Sequence, residues 1–354
     1  MRNSEFSILH SRPLAYNGRV SGVSQESINA GTRFCAVLGH PVRHSASPAM
    51  QNAALAALGL NWRYLAAEVS PDDLRAAIAG AKAMRFIGLN LTVPHKTAAL
   101  AMLDALDEKA GLLGAVNTIV FETPGPGGDW IPLGRAADED GGDALPRHSL
   151  VRSHGHNTDA DGLARSLKED FQWPDPPAAS DLPGADAASG LRPDSPLRGA
   201  SVLLLGAGGA ARAAALQLAG EGVASLFLVN RTRARAGQLA AEIAARFPAV
   251  NIILSLPRDP VDLVINATSL GLKPDDPLPL DEGWLKSRRP LRACDMVYRP
   301  AETAFLRAAK EAGCQTANGL GMLLHQGAAA LELWTGRPAP VEIMRAALKE
   351  HIYG

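Results

Sequence analysis

The most definite chemistry in the sequence lies in a glycine turn directly behind an apolar run. Leu203-Leu204-Leu205 leads into Gly206-Ala207-Gly208-Gly209-Ala210-Ala211, a G-x-G-x-x-G/A pattern at a strand-to-helix junction. Gly206 permits the tight turn, Gly208 lets a pyrophosphate approach the backbone, Gly209 and Ala210 complete the turn into the helix, and Ala211 is small enough for close helix packing. Free N–H groups and the helix dipole then receive the negative charge. A site that takes NAD would place a carboxylate at the end of the next strand, against the ribose 2′-hydroxyl. This chain has Asn230 there, followed by Arg231, Thr232, Arg233 and Arg235. A guanidinium grips a 2′-phosphate bidentately and stacks on adenine, so the expected cofactor is NADP(H). Arg231 and Arg235, four residues apart, share a helix face, whereas Arg233 points elsewhere.

Four short polar clusters in apolar surroundings supply candidate substrate contacts. They are Ser45-Ala46-Ser47-Pro48, Asn90-Leu91-Thr92-Val93-Pro94-His95-Lys96, Ala115-Val116-Asn117-Thr118 and Asn157-Thr158-Asp159-Ala160-Asp161-Gly162. Two hydroxyls at a helix start make a carboxylate cradle, with Ser47 also the expected N-cap. Asn90 and Thr92 alternate with Leu91 and Val93, so both project to one face at the carboxyl end of a strand, where open α/β sheets bind ligands, and Lys96 comes just beyond. Each cluster taken singly also fits a capped helix, a turn asparagine or an exposed lysine.

The elements that must position these residues follow from hydrophobic periodicity. From Phe34 onward short apolar runs alternate with helical periods, the pattern of a parallel sheet with crossover helices. Expected strands of the first block are 34–39, 64–69 and 86–93, with helices starting at Ser47-Pro48 and at Ser70-Pro71-Asp72-Asp73. A helix over 158–171 is expected to join two domains. The second block carries strands at 201–206, 225–230, 251–256, 262–268 and 292–298, and helices over 302–313, 319–335 and 340–351. Residues 122–150 and 174–200, rich in glycine, proline and aspartate, are expected to be long surface loops. Residues 1–32 are expected to form a loose extension, without the apolar segment of a secretory signal.

Composition excludes several classes. With 354 residues, 47% apolar and 20% charged, the chain is long enough for two domains of roughly 150 residues and ordinary enough to be globular. Lysine and arginine number 35 against 36 acidic residues, so no global field attracts nucleic acid. No apolar stretch reaches the roughly 18 residues of a membrane helix. Cys35, Cys294 and Cys314 have no C-x-x-C spacing, which argues against a disulfide framework or zinc ribbon and for a reducing, cytoplasmic compartment. His154-Gly155-His156 resembles half a metal site, but no further Cys/His cluster has ligand spacing, so no metal is expected.

Together the motifs are specific, and the sequence resembles the shikimate dehydrogenase family, including its quinate-using relatives. The motifs S-x-S-P, N-x-T-x-P-x-K, G-A-V-N-T, G-x-N-T-D, G-A-G-G-A, N-R-T-x-x-R, I-N-A-T-S, D-M-V-Y and G-L-G-M-L-x-x-Q occur in the family's order from Phe34 to the C-terminus. The resemblance implies an α/β fold of two domains with a cleft between them. A substrate-binding domain over 33–158, completed by C-terminal helices in 319–354, would face a Rossmann NADP-binding domain over 159–318. It implies NADPH-dependent reduction of 3-dehydroshikimate to shikimate, with a small molecule as partner and a monomer or homodimer as the working form. Ser45 and Ser47 would hold the substrate carboxylate, and Asn90, Thr92, Asn117 and Gln326 its hydroxyls. Tyr298 would lie near both substrate and nicotinamide, while Thr268, Met296 and Gly319 would flank the cofactor. Lys96 and Asp159 would form the catalytic pair, because hydride transfer at a secondary alcohol requires a proton to move at its oxygen. The extension, both inserts and the spacing D-A-D-G depart from the family pattern, and Asp161 is expected to be a helix-start residue. Alternatives are a quinate- or aminoshikimate-type dehydrogenase and a non-catalytic metabolite sensor, the latter having no need of Lys96 and Asp159.

Overall fold

The structure, a computed structural model, describes residues 28–135, 150–173, 195 and 197–354. The chain forms β1 (Arg33–Gly39), α1 (Ser47–Ala57), β2 (Trp62–Glu68), α2 (Leu74–Ala83), β3 (Gly88–Leu91), α3 (His95–Ala98), β4 (Ala105–Leu106), α4 (Glu108–Leu113), β5 (Thr118–Pro124), β6 (Trp130–Pro132) and β7 (Arg152–His156). These strands build a sheet of order β2-β1-β3-β5-β7-β4, with β6 paired to β5. β1, β2 and β3 run parallel; β1 and β3 are largely buried, whereas β2 at the sheet edge leaves Leu65, Ala66 and Glu68 exposed. β5, however, runs antiparallel to both β3 and β7, so the first sheet is mixed, not parallel throughout.

Part of the expected loop at 122–150 is strand. Residues 122–124 finish β5 and 130–132 form β6, while 136–149 lie outside the described residues. Polar Glu122 is tolerated in β5 because Arg152 of the neighbouring β7 bonds its carboxylate at 2.6 Å. The expected strand over 86–93 ends at Leu91. α1 includes Ser47 itself, with Ala46 at the N-cap position and no side-chain cap, so Ser47 does not cap the helix. α2 starts four residues after Ser70, at Leu74. The expected extension lies outside the described residues except for 28–32, and most of 174–200 does too.

The second half comprises α5 (Thr158–Phe171), β8 (Ser201–Leu205), α6 (Gly209–Gly220), β9 (Ser225–Val229), α7 (Arg233–Arg246), β10 (Asn251–Ile253), β11 (Leu263–Asn266), α8 (Glu282–Arg288), β12 (Arg292–Asp295), α9 (Ala304–Glu311), β13 (Gln315–Ala317), α10 (Leu320–Thr335) and α11 (Val341–Tyr353). Its sheet is wholly parallel with order β10-β9-β8-β11-β12-β13. Counted from the first strand of this block, that is 3-2-1-4-5-6, the doubly wound dinucleotide-binding order, whose ligand site falls where the direction of strand addition reverses, between β8 and β11.

α5 and α10 carry the chain between the two sheets. Leu163, Leu167 and Phe171 of α5 are buried in the core of the second sheet, with Val202 and Leu204. Leu324, Leu331 and Trp334 of α10 are buried in the core of the first, where the Trp334 indole donates to Ile119 O at 3.0 Å. The two helices cross at Gly162, where a Cβ would stand 2.8 Å from Gln326 N and 2.9 Å from Met322 O. Neither backbone atom can yield cheaply, so the glycine of D-A-D-G sets the helix separation. Gly162→Ala should cost about 1–3 kcal/mol through overpacking, read as a lower urea midpoint, and should move Gln326 relative to Asp159.

Candidate active site

A cleft of about 330 Å³ opens between the halves, walled by Ser45 and Ser47 at the start of α1, Asn90 of β3, Thr92 just past it, Lys96 of α3, Asp159 of α5, Met296 and Tyr298 after β12, and Gly319 and Gln326 at α10. Residues from every cluster singled out in the sequence except Ala115-Val116-Asn117-Thr118 therefore meet in one cavity. At its centre the Lys96 ammonium donates to Asp159 Oδ2 at 2.6 Å, with side-chain exposures of 34% and 10%. Asp159 Oδ1 accepts from Asn117 Nδ2 at 2.9 Å, so both carboxylate oxygens are held.

Asn117 is buried behind the cleft wall and does not line the cleft. Its Oδ1 accepts from Thr158 N at 2.7 Å, and its Nδ2 reaches Gln326 Oε1 only at 3.4 Å. Asn157 caps α5 by accepting from Ala160 N and donates to Ala115 O at 2.9 Å, joining the two polar motifs below Asp159. Asn90 Oδ1 accepts from the buried Tyr64 hydroxyl at 2.7 Å, and Asn90 Nδ2 donates to Thr118 Oγ1 at 3.0 Å. Tyr64 lies outside the polar clusters singled out in the sequence, whereas Thr118 belongs to one of them. Tyr64 reads in sequence as one more apolar strand residue, and only its cross-sheet position puts its hydroxyl on Asn90.

A second cavity, of about 470 Å³, adjoins the first. It shares His44, Ala46, Met296 and Tyr298 with it and extends to Ala210, Ala267 and Thr268 at the point where the strand order reverses. Gly206 has φ +116° and lies so close to β11 that a Cβ would stand 2.9 Å from Ala267 O, which demands glycine. Gly208 caps α6 without a side-chain bond, and Cβ atoms on Gly208 and Gly209 would meet open space. Ala211 is fully buried beneath them. That leaves exposed N–H groups and room for a phosphate, so the residues fit a dinucleotide. Asn230 turns back to donate to Thr232 O at 2.8 Å. Arg231, Thr232, Arg233 and Arg235 are exposed, and among the described residues none of the three arginines has an ion-pair partner. The Tyr298 phenol is pushed up from its ordinary range by burial, so it stays protonated.

Comparison with known proteins matches residues 37–119 to "Shikimate dehydrogenase substrate binding domain", 191–271 to "Shikimate / quinate 5-dehydrogenase" and 319–349 to "Shikimate 5'-dehydrogenase C-terminal domain". The chain is 42% identical over 333 residues to shikimate dehydrogenase (NADP(+)) of Moorella thermoacetica, covering 91% of this chain and 95% of that one. The chain belongs to the shikimate dehydrogenase family. A shikimate dehydrogenase solved in complex with NADP+ is similar at TM-score 0.71 and 33% identity, covering 94% of this chain and 100% of that one. The Thermus thermophilus enzyme, solved with NADP(H) and shikimate, is similar at TM-score 0.65 and 34% identity, covering 90% and 99%.

The remaining polar candidates divide between cleft and scaffold of this family member. His44 lines both cavities. His95 is buried away from them, its Nε2 donating to Val69 O at 2.9 Å and so anchoring the turn that carries Lys96. Asp161 pairs with Lys109 in the first turn of α5 and does not line the cleft. The rings of His154 and His156 lie 4.3 Å apart, tilted by 47°, but each faces a carboxylate, Glu122 at 3.2 Å and Asp107 at 3.3 Å. Burial pushes the Glu122 carboxyl up, yet bonds from His154 and Arg152 outweigh it and hold the group below its usual range. A lowered carboxyl contributes stability above its ordinary pKa of about 4.3 and loses it as pH falls through the lower folded value. Glu122→Gln should therefore lower the urea midpoint near pH 5 and cost progressively less toward pH 3.

Proposed function

We propose that this chain is an NADP-dependent shikimate dehydrogenase, which reduces 3-dehydroshikimate to shikimate reversibly as a step toward chorismate and the aromatic amino acids. The observation that carries this is the Lys96–Asp159 pair at 2.6 Å, set in a cleft that runs into the dinucleotide turn. Exposed arginines after β9, in place of a carboxylate, favour the phosphorylated cofactor.

When bound, the nicotinamide supplies the hydride, and the side chains handle the rest. Ser45 and Ser47 hold the substrate carboxylate at the start of α1, where helix N–H groups favour negative charge. Asn90, Thr92 and Gln326 orient the ring hydroxyls, and Tyr298 fills the boundary between the two cavities. Asn117 is also proposed as a substrate contact, since its 3.4 Å bond to Gln326 is long enough for a hydroxyl to replace. The ammonium of Lys96 has three donors, of which one is spent on Asp159. The others face the carbonyl oxygen, stabilise the alkoxide as it develops and deliver its proton. Asp159, fixed at both oxygens, aims the ammonium and is the pair's other proton site. Thr268, Met296 and Gly319 flank the nicotinamide side, while Arg231, Thr232 and Arg235 receive the 2′-phosphate beside Asn230.

In this scheme the substrate-binding unit is 33–158 with 319–354, and the NADP-binding unit is 159–318. The working form proposed is a monomer or a homodimer. The three cysteines are free and suit a reducing cytoplasm.

Initial rates at 340 nm with shikimate or quinate, each with NADP+ or NAD+, test the proposal. Turnover of shikimate with NADP+ is expected, and quinate preference or an inert protein would contradict it. Lys96→Ala should lower kcat by roughly 10²- to 10⁴-fold while leaving the NADP+ dissociation constant nearly unchanged. Replacing Arg231 and Arg235 together by alanine should raise KM for NADP+ about ten-fold or more and leave the slow NAD+ reaction unaffected.

A further inference from the structure

The segment that separates the two cavities is held from outside by the last turn of the C-terminal helix. Met296 and Tyr298 both line the cleft and the adjoining cavity, and they sit on the loop leaving β12. On one side this loop is fastened to its own half, where Val297 N and Asn266 Nδ2 each donate to Asp295 Oδ1 at 3.0 Å. On the other side it meets α11, which packs in the core of the first sheet through Met344, Leu348 and Ile352. There the Tyr353 hydroxyl donates to the Tyr298 carbonyl at 2.6 Å and accepts from Asn318 Nδ2 at 3.1 Å. Asn318 Nδ2 also donates to Ala301 O at 2.8 Å, so one hydroxyl and one amide pin the loop at both ends. His351 and Ile352, in the same helical turn, form part of the adjoining cavity's wall with Arg299.

We propose that Tyr353 is a positioning residue for the nicotinamide end of the cofactor, acting through the Tyr298–Ala301 segment. This rests on the functional reading above. The hydroxyl reaches across from the half that holds the substrate to the loop that walls the nicotinamide cavity. It sets where Met296 and Tyr298 stand relative to both ligands. In that reading the adenosine end lies along the glycine turn between β8 and α6 and the arginines after β9, and neither of these hydrogen bonds of Tyr353 goes there. The two ends of the dinucleotide are therefore expected to respond differently to loss of this bond.

Tyr353→Phe keeps the ring packing and removes only the hydroxyl. Calorimetric titration of wild type and variant with NADP+ and with 2′-phospho-ADP-ribose, which lacks the nicotinamide, separates the two ends. The expected result is NADP+ binding weakened by about five-fold, the worth of one hydrogen bond, with the fragment bound as tightly as before. In turnover, KM for NADP+ should rise while the melting temperature stays within a degree or two of wild type. Equal weakening of both ligands, or no change in either, overturns the proposal. A wild-type chain that binds neither ligand would instead contradict the functional reading, and this inference with it.

Discussion

The cleft depends on one ion pair, Lys96 with Asp159, whose partners come from opposite sides of the chain's main crossing. Lys96 stands at the end of the first sheet and Asp159 in the first turn of the helix that leaves it. Asp159 is nearly buried, and a buried carboxylate without a partner would be costly. The fold meets that cost with two fixed donors, Lys96 and Asn117, and Asn117 is itself fixed by Thr158. A carboxylate so held cannot turn, which is what aiming an ammonium at a reacting oxygen requires.

The wider architecture follows from where α5 must run. Its first turn carries Asp159 beneath the cleft, and its apolar face, Leu163, Leu167 and Phe171, belongs to the second core. α10 returns in the opposite sense, burying Leu324, Leu331 and Trp334 in the first core and presenting Gln326 to the cleft. Because the helices touch backbone to backbone at Gly162, the distance from Gln326 to Asp159 is set by contact rather than by a loop. The dinucleotide turn obeys the same logic on the far side, where Gly206 lies against Ala267 and leaves the end of α6 open.

Much of this was legible in the sequence, for a physical reason. Local signals such as the apolar run before Gly206, the helix over 158–171 and the glycine-led helix near 320 depend on neighbours within a few residues, and they stand where periodicity put them. What was missed depends on distant partners. The antiparallel placement of β5 rests on its register with β3 and β7, and strand 118–124 was obscured by the glycine- and proline-rich stretch that begins at its end. Ser47 looked like an N-cap because the proline behind it marks a helix start, but the helix begins one residue earlier than that pattern implies. The position of Asn117 behind the wall, and the role of Tyr64 beneath Asn90, exist only once the strands are paired.

The central claim is that Lys96 and Asp159 act as one device. It is tested most directly by a double-mutant cycle on kcat, comparing Lys96→Ala, Asp159→Asn and the two together. If the pair works as a unit, the double variant will be little slower than the slower single one, because the second substitution removes nothing that still operates. Losses that multiply across the two positions would show independent roles and contradict the account.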